Sequence, residues 1–104
     1  MSYIAPVDET KFWLNEVLDA KRLFSGSNFH GLKEEDLNLI LSEAAKITSE
    51  SIYPLNQKSD QIPAKLENGV CRTTPGFKNA YELLVQGGWA GISGSPKYGG
   101  MGLP

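Results

Sequence analysis

The sequence predicts a small, mainly α-helical domain with a short β-hairpin and a glycine-rich C-terminal loop. Three segments carry apolar residues at the spacing of amphipathic helices, about 3.6 residues per turn. An Asn-Gly pair between two short alternating segments is typical of a hairpin turn. The last 18 residues hold seven of the 11 glycines together with Trp, Ile, Tyr and Leu, which indicates a folded loop rather than a flexible linker. Because such a loop normally leads into further structure, we expect the chain to be the front part of a larger protein.

Composition narrows the classes of function. With 104 residues, 40% hydrophobic and 21% charged, the chain has the make-up of one ordinary globular domain. A net charge of -2 offers no concentrated basic surface for nucleic acid or an anionic membrane. No apolar run approaches the roughly 18 residues of a membrane span, and the N-terminus lacks the features of a signal peptide. One cysteine, Cys71, fits a reducing compartment, so we expect a cytoplasmic protein with no nucleic-acid partner and no transmembrane segment.

The first predicted helix covers residues 8–23. Asp8 is the expected N-cap, and Glu9 places negative charge in the first turn, where the helix dipole favours it. The residues of its apolar face follow helical spacing: Trp13, Val17, Ala20 and Phe24. The polar segment 25–28 is expected to end this helix.

The second predicted helix runs from Lys33 to beyond Tyr53. Three acidic residues occupy its first turn, and one continuous apolar stripe runs along it: Leu37, Ile40, Leu41, Ala44, Thr48, Ser51, Ile52 and Leu55. Pro54 removes a backbone donor and crowds the preceding turn. Because the stripe continues to Leu55, the pattern favours a kinked helix over one that stops at Pro54.

The segment 65–72 is predicted to form a hairpin around Asn68-Gly69, whose backbones accept the positive φ angles of a two-residue turn. Two strands alone are barely stable, so this ribbon should lie on the helices or on polypeptide outside this sequence. Cys71 falls on its second strand with no histidine near it in sequence, which favours an inert thiol.

The third predicted helix covers residues 75–86, with Thr74 as its cap and Pro75 at its first position. Its apolar face consists of Phe77, Ala80, Tyr81, Leu84 and Val85. Gly87 or Gly88 is expected to end it in the left-handed conformation.

Several motifs in this order resemble the N-terminal domain of flavin-dependent acyl-CoA dehydrogenases. They are Glu43-Ala44-Ala45-Lys46, Ile52-Tyr53-Pro54-Leu55-Asn56, Leu66-Glu67-Asn68-Gly69-Val70, Thr74-Pro75-Gly76-Phe77, Gly88-Trp89-Ala90-Gly91-Ile92, Pro96, Tyr98-Gly99-Gly100 and Gly102-Leu103-Pro104. The resemblance covers essentially the whole chain. Residues 1–32 resemble the extension helix and loop of a larger bacterial subgroup, which includes enzymes acting on long-chain and methylmercaptopropionyl thioesters, and residues 33–104 resemble the core of the domain. Lys97 stands where that family usually has Glu.

The resemblance implies a parent oxidoreductase of fatty acid metabolism. Members of the family bind FAD, remove the α-proton of an acyl-CoA with a carboxylate base and pass the β-hydride to the flavin, which introduces an α,β double bond. Their electrons usually go to an electron-transferring flavoprotein. A middle β-domain and a C-terminal helical domain supply most flavin contacts and the catalytic glutamate, and this sequence contains neither.

We therefore expect no catalytic, cofactor-binding or metal-binding residue in this chain, and no activity or bound FAD for the chain alone. The resemblance implies that one loop lies near the domain junction. The candidate junction residues in this loop are Trp89, Tyr98, Gly99, Gly100 and Leu103.

Single residues admit plainer interpretations than catalysis. Glu43 and Glu50 share a polar helix face with Lys46, which favours solvated ion pairs over a catalytic pair. His30 has no acidic or cysteine cluster at metal-binding spacing, so a surface or capping role is favoured. Trp13 is expected to fill the core or a domain interface.

The glycine-rich loop invites comparison with phosphate-binding loops. Residues 99–102 are followed by no Lys-Ser/Thr pair and neither leave a strand nor open a helix, so a tight packing turn is favoured over cofactor binding. Trp89 is expected to fill the core or a domain interface. Tyr98 could reach a substrate pocket in an intact enzyme, but packing against Trp89 is favoured.

Two functional hypotheses remain open. In the first, the chain is a structural piece of an acyl-CoA dehydrogenase. In the second, the same fold serves as a stand-alone helical module that binds a partner through its apolar surface. Either hypothesis predicts an exposed apolar patch of more than a few hundred Å², which also allows self-association.

Overall fold

The computed structural model describes residues 2–26, 29 and 31–104 and shows the mainly α-helical domain that the sequence predicts. The elements in chain order are α1 (Val7–Phe12), α2 (Lys21–Phe24), α3 (Glu34–Ile47), α4 (Pro54–Gln61), β1 (Lys65–Glu67), β2 (Val70–Arg72) and α5 (Phe77–Gln86). Two π-helical turns, Trp13–Val17 and Thr48–Ile52, extend α1 and join α3 to α4. No helix in the described part of the chain has the length and apolar character needed to cross a bilayer.

The N-terminal helix begins earlier than predicted. Pro6, not Asp8, is the N-cap of α1, and the Pro6 carbonyl accepts a hydrogen bond from the Thr10 hydroxyl at 2.8 Å. Asp8 lies inside the first turn, where its charge still complements the helix dipole. After Phe12 the helix widens into a π turn, in which the Leu18 N–H donates to the Trp13 carbonyl at 2.9 Å.

The single helix predicted over residues 8–23 is wrong, because the chain turns at Asp19. This residue adopts φ 50, a left-handed conformation that aspartate tolerates better than most residues. Ala20, which follows the turn, is 6% exposed, and α2 begins after it at Lys21. Lys21 of α2 then reaches across to Glu34 of α3, with 2.8 Å between Nζ and Oε2.

The polar segment predicted to end the first helix is only partly described. Ser25 is the C-cap of α2, and its hydroxyl donates to the Lys21 carbonyl at 2.9 Å. Ser27, Asn28 and His30 lie outside the described residues, so the expected surface or capping role of His30 stays a prediction.

The long helix continues through Pro54, as predicted. It begins where the Asp36 carboxylate accepts a hydrogen bond from the Lys33 N–H at 2.9 Å. Before Pro54, the Tyr53 N–H donates to the Thr48 carbonyl at 2.8 Å, five residues back instead of four. This wider turn accommodates the missing donor and the bulk of the proline ring without ending the helix.

The polar side of the long helix is solvent-exposed, as predicted, at Glu43, Lys46 and Glu50. The predicted ion pairs are absent, since these three described residues form no ion pair with one another. Exposed pairs of this kind gain little energy and lose side-chain entropy, so the free side chains are the ordinary outcome.

The Asn-Gly hairpin is confirmed. Lys65 pairs with Arg72, Leu66 with Cys71 and Glu67 with Val70, and the turn residues Asn68 and Gly69 have φ 51 and 76. The base of the hairpin is closed by the Thr74 hydroxyl, which donates to the Ile62 carbonyl at 2.8 Å. Both strands are exposed, with Leu66 at 76%, so the ribbon projects from the helices rather than lying on them.

Helix α5 starts two residues later than predicted. Thr74 does not cap it, because its hydroxyl is used at the hairpin base, and Pro75 lies in the preceding turn. Gly76, with φ 103, is the N-cap, and α5 begins at Phe77. At the other end Gly88 takes the left-handed conformation with φ 74, as predicted for one of the two glycines.

The molecule is flat and extended. Its dimensions are 54 × 36 × 17 Å and its radius of gyration is 17.4 Å, whereas a compact chain of this length has about 13 Å. Among the described residues, the buried ones are Ala20, Ala80 and Thr74. Large apolar residues are exposed along the described chain, whereas the predicted contiguous patch stays a prediction: Ile4, Phe12, Trp13, Val17, Leu18, Leu39, Leu66, Tyr81, Val85, Tyr98 and Met101 are examples of the exposed residues.

Candidate functional site

The predicted junction residues lie in one compact structure, the glycine loop, defined here as residues 87–104. It leaves α5, makes 3-10 turns at Trp89–Gly91 and Pro96–Tyr98, and folds back on itself. Three backbone hydrogen bonds join its outgoing and returning arms: Met101 N–H to Gly91 O (3.1 Å), Leu103 N–H to Ile92 O (3.0 Å) and Gly102 N–H to Gly94 O (2.9 Å). The loop is thus closed by hydrogen bonds between its own residues, in agreement with the tight packing turn predicted at residues 99–102.

Glycines are required where the two arms touch. The backbone at Gly100 lies so close to the Gly94 carbonyl that a Cβ on Gly100 would overlap it. At the junction with α5, a Cβ on Gly87 would lie 2.7 Å from Nε1 of Trp89, so the indole occupies the space of the missing side chain. Close backbone approach, rather than ligand binding, accounts for these two glycines.

The side chains of the glycine loop separate into two groups. Trp89, Ile92 and Leu103 are half-buried, whereas Tyr98 is 82% and Met101 57% exposed. The predicted packing of Tyr98 against Trp89 is therefore wrong, because the 3-10 turn at its base directs Tyr98 into solvent. Its neighbour Lys97 lies beside it, with Nζ 5.5 Å from the ring centroid.

A second surface is a groove that single-residue reasoning did not identify. We call it the α4–α5 groove; its volume is about 640 Å³, and it is lined by Tyr3, Thr48, Ile52, Tyr53, Leu55, Asn56, Ser59, Phe77, Ala80, Tyr81 and Leu84. Ala80, 9% exposed, is its most buried lining residue, and the Tyr3 ring stacks on Tyr53 with 5.9 Å between centroids. The stripe ending at Leu55 and the apolar face of α5 were the available signals. Nothing in the sequence marks Tyr3, which lies before the first helix.

Charge is absent from the groove and is not concentrated in the glycine loop. The groove lining contains hydroxyl and amide groups but no acidic or basic side chain. Glu43 and Glu50 point into solvent. Elsewhere, the hydrogen bond that the Lys21 ammonium donates to the Glu34 carboxylate, followed by the negative charge of that carboxylate, raises the pKa of Lys21, an exposed residue outside both surfaces. Neither surface presents a carboxylate that could act as a general base toward a bound molecule.

No group of three or more potential ligands in the described part of the chain could hold a metal ion. Cys71 is exposed on β2, so the predicted strand position is confirmed while its reactivity stays a prediction. Trp13 is 51% exposed, so the prediction that it fills the core is wrong. Its alternative role at a domain interface stays a prediction.

The returning arm of the glycine loop and the α4–α5 groove both lack the groups that usually hold the pyrophosphate of FAD. A dinucleotide pyrophosphate is normally held by free backbone N–H groups at a glycine loop or helix N-terminus. In the glycine loop, the N–H groups from Gly100 to Leu103 all donate within the loop: Gly100 to Ser95, Met101 to Gly91, Gly102 to Gly94 and Leu103 to Ile92. The α4–α5 groove has no basic residue to replace them.

Comparison with known proteins adds one relative. No protein-family model matches the chain. Over all 104 residues, the chain is 32% identical to 3-methylmercaptopropionyl-CoA dehydrogenase from Ruegeria pomeroyi, and it spans 18% of the length of that protein. This match supports the resemblance to acyl-CoA dehydrogenases, whereas the N-terminal position and the bacterial subgroup stay predictions.

Proposed function

We propose that this chain is the N-terminal structural portion of an FAD-dependent acyl-CoA dehydrogenase, an enzyme that introduces an α,β double bond into an acyl-CoA thioester. The observation that carries the proposal is the 32% identity with a CoA-thioester dehydrogenase over the whole chain. In this proposal the flavin, the catalytic carboxylate and the contacts with an electron-transferring flavoprotein belong to polypeptide outside these residues, and the enzyme works in the cytoplasm.

The geometry supports a positioning role for the glycine loop. Its backbone is closed by its own hydrogen bonds, so it can hold a fixed shape without help from a ligand. It presents Tyr98 and Met101 outward from this fixed frame. We infer that these side chains contact the domain that follows, and that Trp89 and Leu103 hold the loop on the end of α5.

No chemical step follows from the residues of this chain. Proton abstraction beside a thioester needs a base within hydrogen-bond reach of the carbon, and neither described surface supplies one. In this proposal the chain contributes a structural surface that contacts the domain that follows, and the isolated chain is inactive.

A chimera tests the proposal. The segment of the Ruegeria enzyme that aligns with residues 1–104 is replaced by this chain, and oxidation of 3-methylmercaptopropionyl-CoA is measured. We expect activity within about tenfold of the parent. A tenfold loss of rate corresponds to an increase of about 1.4 kcal/mol in the activation free energy. The same chimera carrying Gly100→Val serves as the control and should lose activity as its loop opens.

The outcomes separate clearly. A chimera that folds, as judged by circular dichroism, but has no dehydrogenase activity contradicts the proposal. So does an isolated 104-residue chain that purifies yellow, with bound FAD, and bleaches when an acyl-CoA is added.

The exposed apolar groove favours a second candidate, a stand-alone helical module that binds a partner. The groove leaves Tyr81 67% and Phe77 40% exposed, which a self-contained domain would normally cover. The chimera distinguishes the two candidates, because a module with a separate role has no reason to restore a dehydrogenase.

A further inference from the structure

The hairpin tip holds an asparagine whose surroundings differ from those of the other described asparagines. Asn68 and Gly69 form the two-residue turn, and both are exposed. The other asparagines that the structure describes lie in helical turns: Asn15, Asn38, Asn56 and Asn79. Each of those is followed by a residue with a side chain, whereas Asn68 is followed by glycine. Asn68 therefore combines an exposed turn with a following residue that has no Cβ.

This pair of residues permits a reaction within the backbone. The Gly69 nitrogen can bond to the side-chain carbonyl carbon of Asn68, while the amide nitrogen of that side chain leaves as ammonia and takes the Gly69 N–H proton with it. The product is a five-membered succinimide ring. Water then adds to one of the two ring carbonyls, breaks its bond to the Gly69 nitrogen and returns a proton to that nitrogen. The net change is an amide plus water to a carboxylic acid plus ammonia, with no oxidant or reductant.

The structure leaves the reacting atoms accessible. In the turns and loops that it describes, no backbone hydrogen bond uses the Gly69 N–H. A Cβ built on Gly69 meets no atom within 4 Å, so open space surrounds the nucleophile. Asn68 has φ 51, a left-handed conformation that costs a non-glycine residue free energy, so its local preference favours leaving the turn conformation.

Asn79 shows the contrast within the same chain. It is also exposed, but it lies in α5. The next N–H, that of Ala80, donates to the Gly76 carbonyl at 3.0 Å. A nitrogen held in this way, on a residue with a Cβ, cannot turn toward the preceding side chain unless the helix opens.

The ribbon that carries the turn is short and uncovered. Each strand has three residues, all of them exposed, and Leu66 is 76% exposed. Two strands without a third strand or a packed face are barely stable in water. The tip can therefore open far enough for ring closure while the helices stay folded.

We propose that Asn68 is a site of spontaneous deamidation, at which water converts the exposed turn to an isoaspartyl or aspartyl turn. The new carboxylate lowers the formal net charge of -2 by one. Isoaspartate also adds a carbon to the backbone between Glu67 and Val70, so the turn no longer matches the pairing of these two residues. This inference goes beyond the proposed function and does not depend on it.

Peptide mapping of the complete 104-residue chain during incubation at neutral pH tests the proposal. We expect Asn68 to gain about 1 Da and to give two separable products, of which the isoaspartyl form accepts a methyl group from S-adenosylmethionine in the presence of an isoaspartyl methyltransferase. In water enriched in a heavy oxygen isotope, the product should retain a labelled oxygen. Asn79 is the internal reference and should react at least about tenfold more slowly.

Gly69→Ala separates the chemistry of the turn from its flexibility. The added Cβ hinders attack by the nitrogen of residue 69, although the same change strains the turn through its φ of 76. We expect deamidation at Asn68 to slow about tenfold or more. A turn in which flexibility alone set the rate would react faster, so an unchanged or faster rate in this variant overturns the proposal.

The same chain in guanidinium chloride is the reference for an unprotected turn. The rate at Asn68 in the folded chain should lie within about tenfold of the rate in denaturant, because the ribbon opens without unfolding the helices. A folded chain that keeps Asn68 intact while the denatured chain reacts overturns the proposal. So does a folded chain in which Asn79 reacts as fast as Asn68. None of these results bears on the chimera, so the two proposals fail separately.

Discussion

The glycine loop and the α4–α5 groove differ in what completes them. The loop closes its backbone with its own hydrogen bonds, and its side chains Trp89, Ile92 and Leu103 are half-buried. The groove is built from regular helices, whose backbone bonds are also satisfied, yet its apolar side chains face solvent. Backbone hydrogen bonding can thus be completed within a short segment, whereas burial of an apolar helix face needs a second surface.

The largest expected effect comes from opening the glycine loop. Gly100→Ala places a Cβ against the Gly94 carbonyl, so the two arms must separate and their hydrogen bonds weaken. We expect a loss of about 3 kcal/mol in the free energy of unfolding, measured by urea denaturation. Hydrogen exchange at the Met101 and Leu103 amides should accelerate at the same time.

Gly91→Ala is the control for this change. A Cβ there meets only the Gly100 Cα at 3.8 Å, which is an ordinary contact, and Gly91 has no positive φ. Equal destabilisation by both variants would show that the arms are not held by close approach.

A second change tests the close contact between Gly76, the N-cap of α5, and Leu55 of α4. Gly76→Ala combines a φ of 103 with a Cβ 2.8 Å from Cδ2 of Leu55, a groove residue. We expect a loss of about 2 kcal/mol by urea denaturation. Gly69→Ala, which has φ 76 but open space around its Cβ, should cost about 1 kcal/mol from backbone strain alone. If Gly69→Ala costs as much as Gly76→Ala, the Leu55 contact does not contribute.

A smaller effect is expected at the hairpin base. Thr74→Val keeps the shape of the 3% exposed side chain but removes the hydroxyl that donates to the Ile62 carbonyl. The expected loss is about 1 kcal/mol, measured by thermal or urea unfolding, because that carbonyl loses its partner. Thr74→Ser keeps the donor and should be milder; a Ser variant less stable than the Val variant would indicate that packing, not the hydrogen bond, matters there.

The smallest effect belongs to the ion pair between α2 and α3. Glu34 raises the pKa of Lys21, so the pair's contribution is complete below the unfolded-state pKa of about 10.4 and is lost as the pH rises through the folded-state pKa. Because both side chains are largely exposed, the melting temperature at neutral pH should hardly differ between wild type and Glu34→Gln. Any difference should vanish at alkaline pH, once Lys21 is deprotonated in both the folded and the unfolded state, and a difference that grows with alkaline pH would contradict this assignment.

Sequence reasoning predicted the elements that depend on near neighbours. The Asn68-Gly69 turn, the continuation of the long helix through Pro54 and the left-handed end of α5 at Gly88 all follow from backbone rules within a few residues. One of its errors has its origin in a distant contact. Thr74 was expected to cap α5, but Ile62, twelve residues earlier, accepts its hydroxyl hydrogen instead.

The candidate sites divide in the same way. The glycine loop was found because its composition is unusual in sequence. The α4–α5 groove brings together Tyr3, the π turn and α5, which are separated by more than forty and then by more than twenty residues. Each of its faces was visible as an apolar stripe, but no periodicity states which stripes will meet and which will stay open.

The sequence by itself determined the local structures, which are amphipathic helices, one Asn-Gly hairpin and a glycine loop. Residue spacing and backbone preference indicate each of them. The tertiary structure alone decided that the chain turns at Asp19, that Tyr98 faces solvent, that Tyr3 stacks on Tyr53 and that the groove stays uncovered. The physical reason is range. Hydrogen bonds and φ preferences act between neighbours in the chain, whereas burial depends on which distant surfaces come into contact.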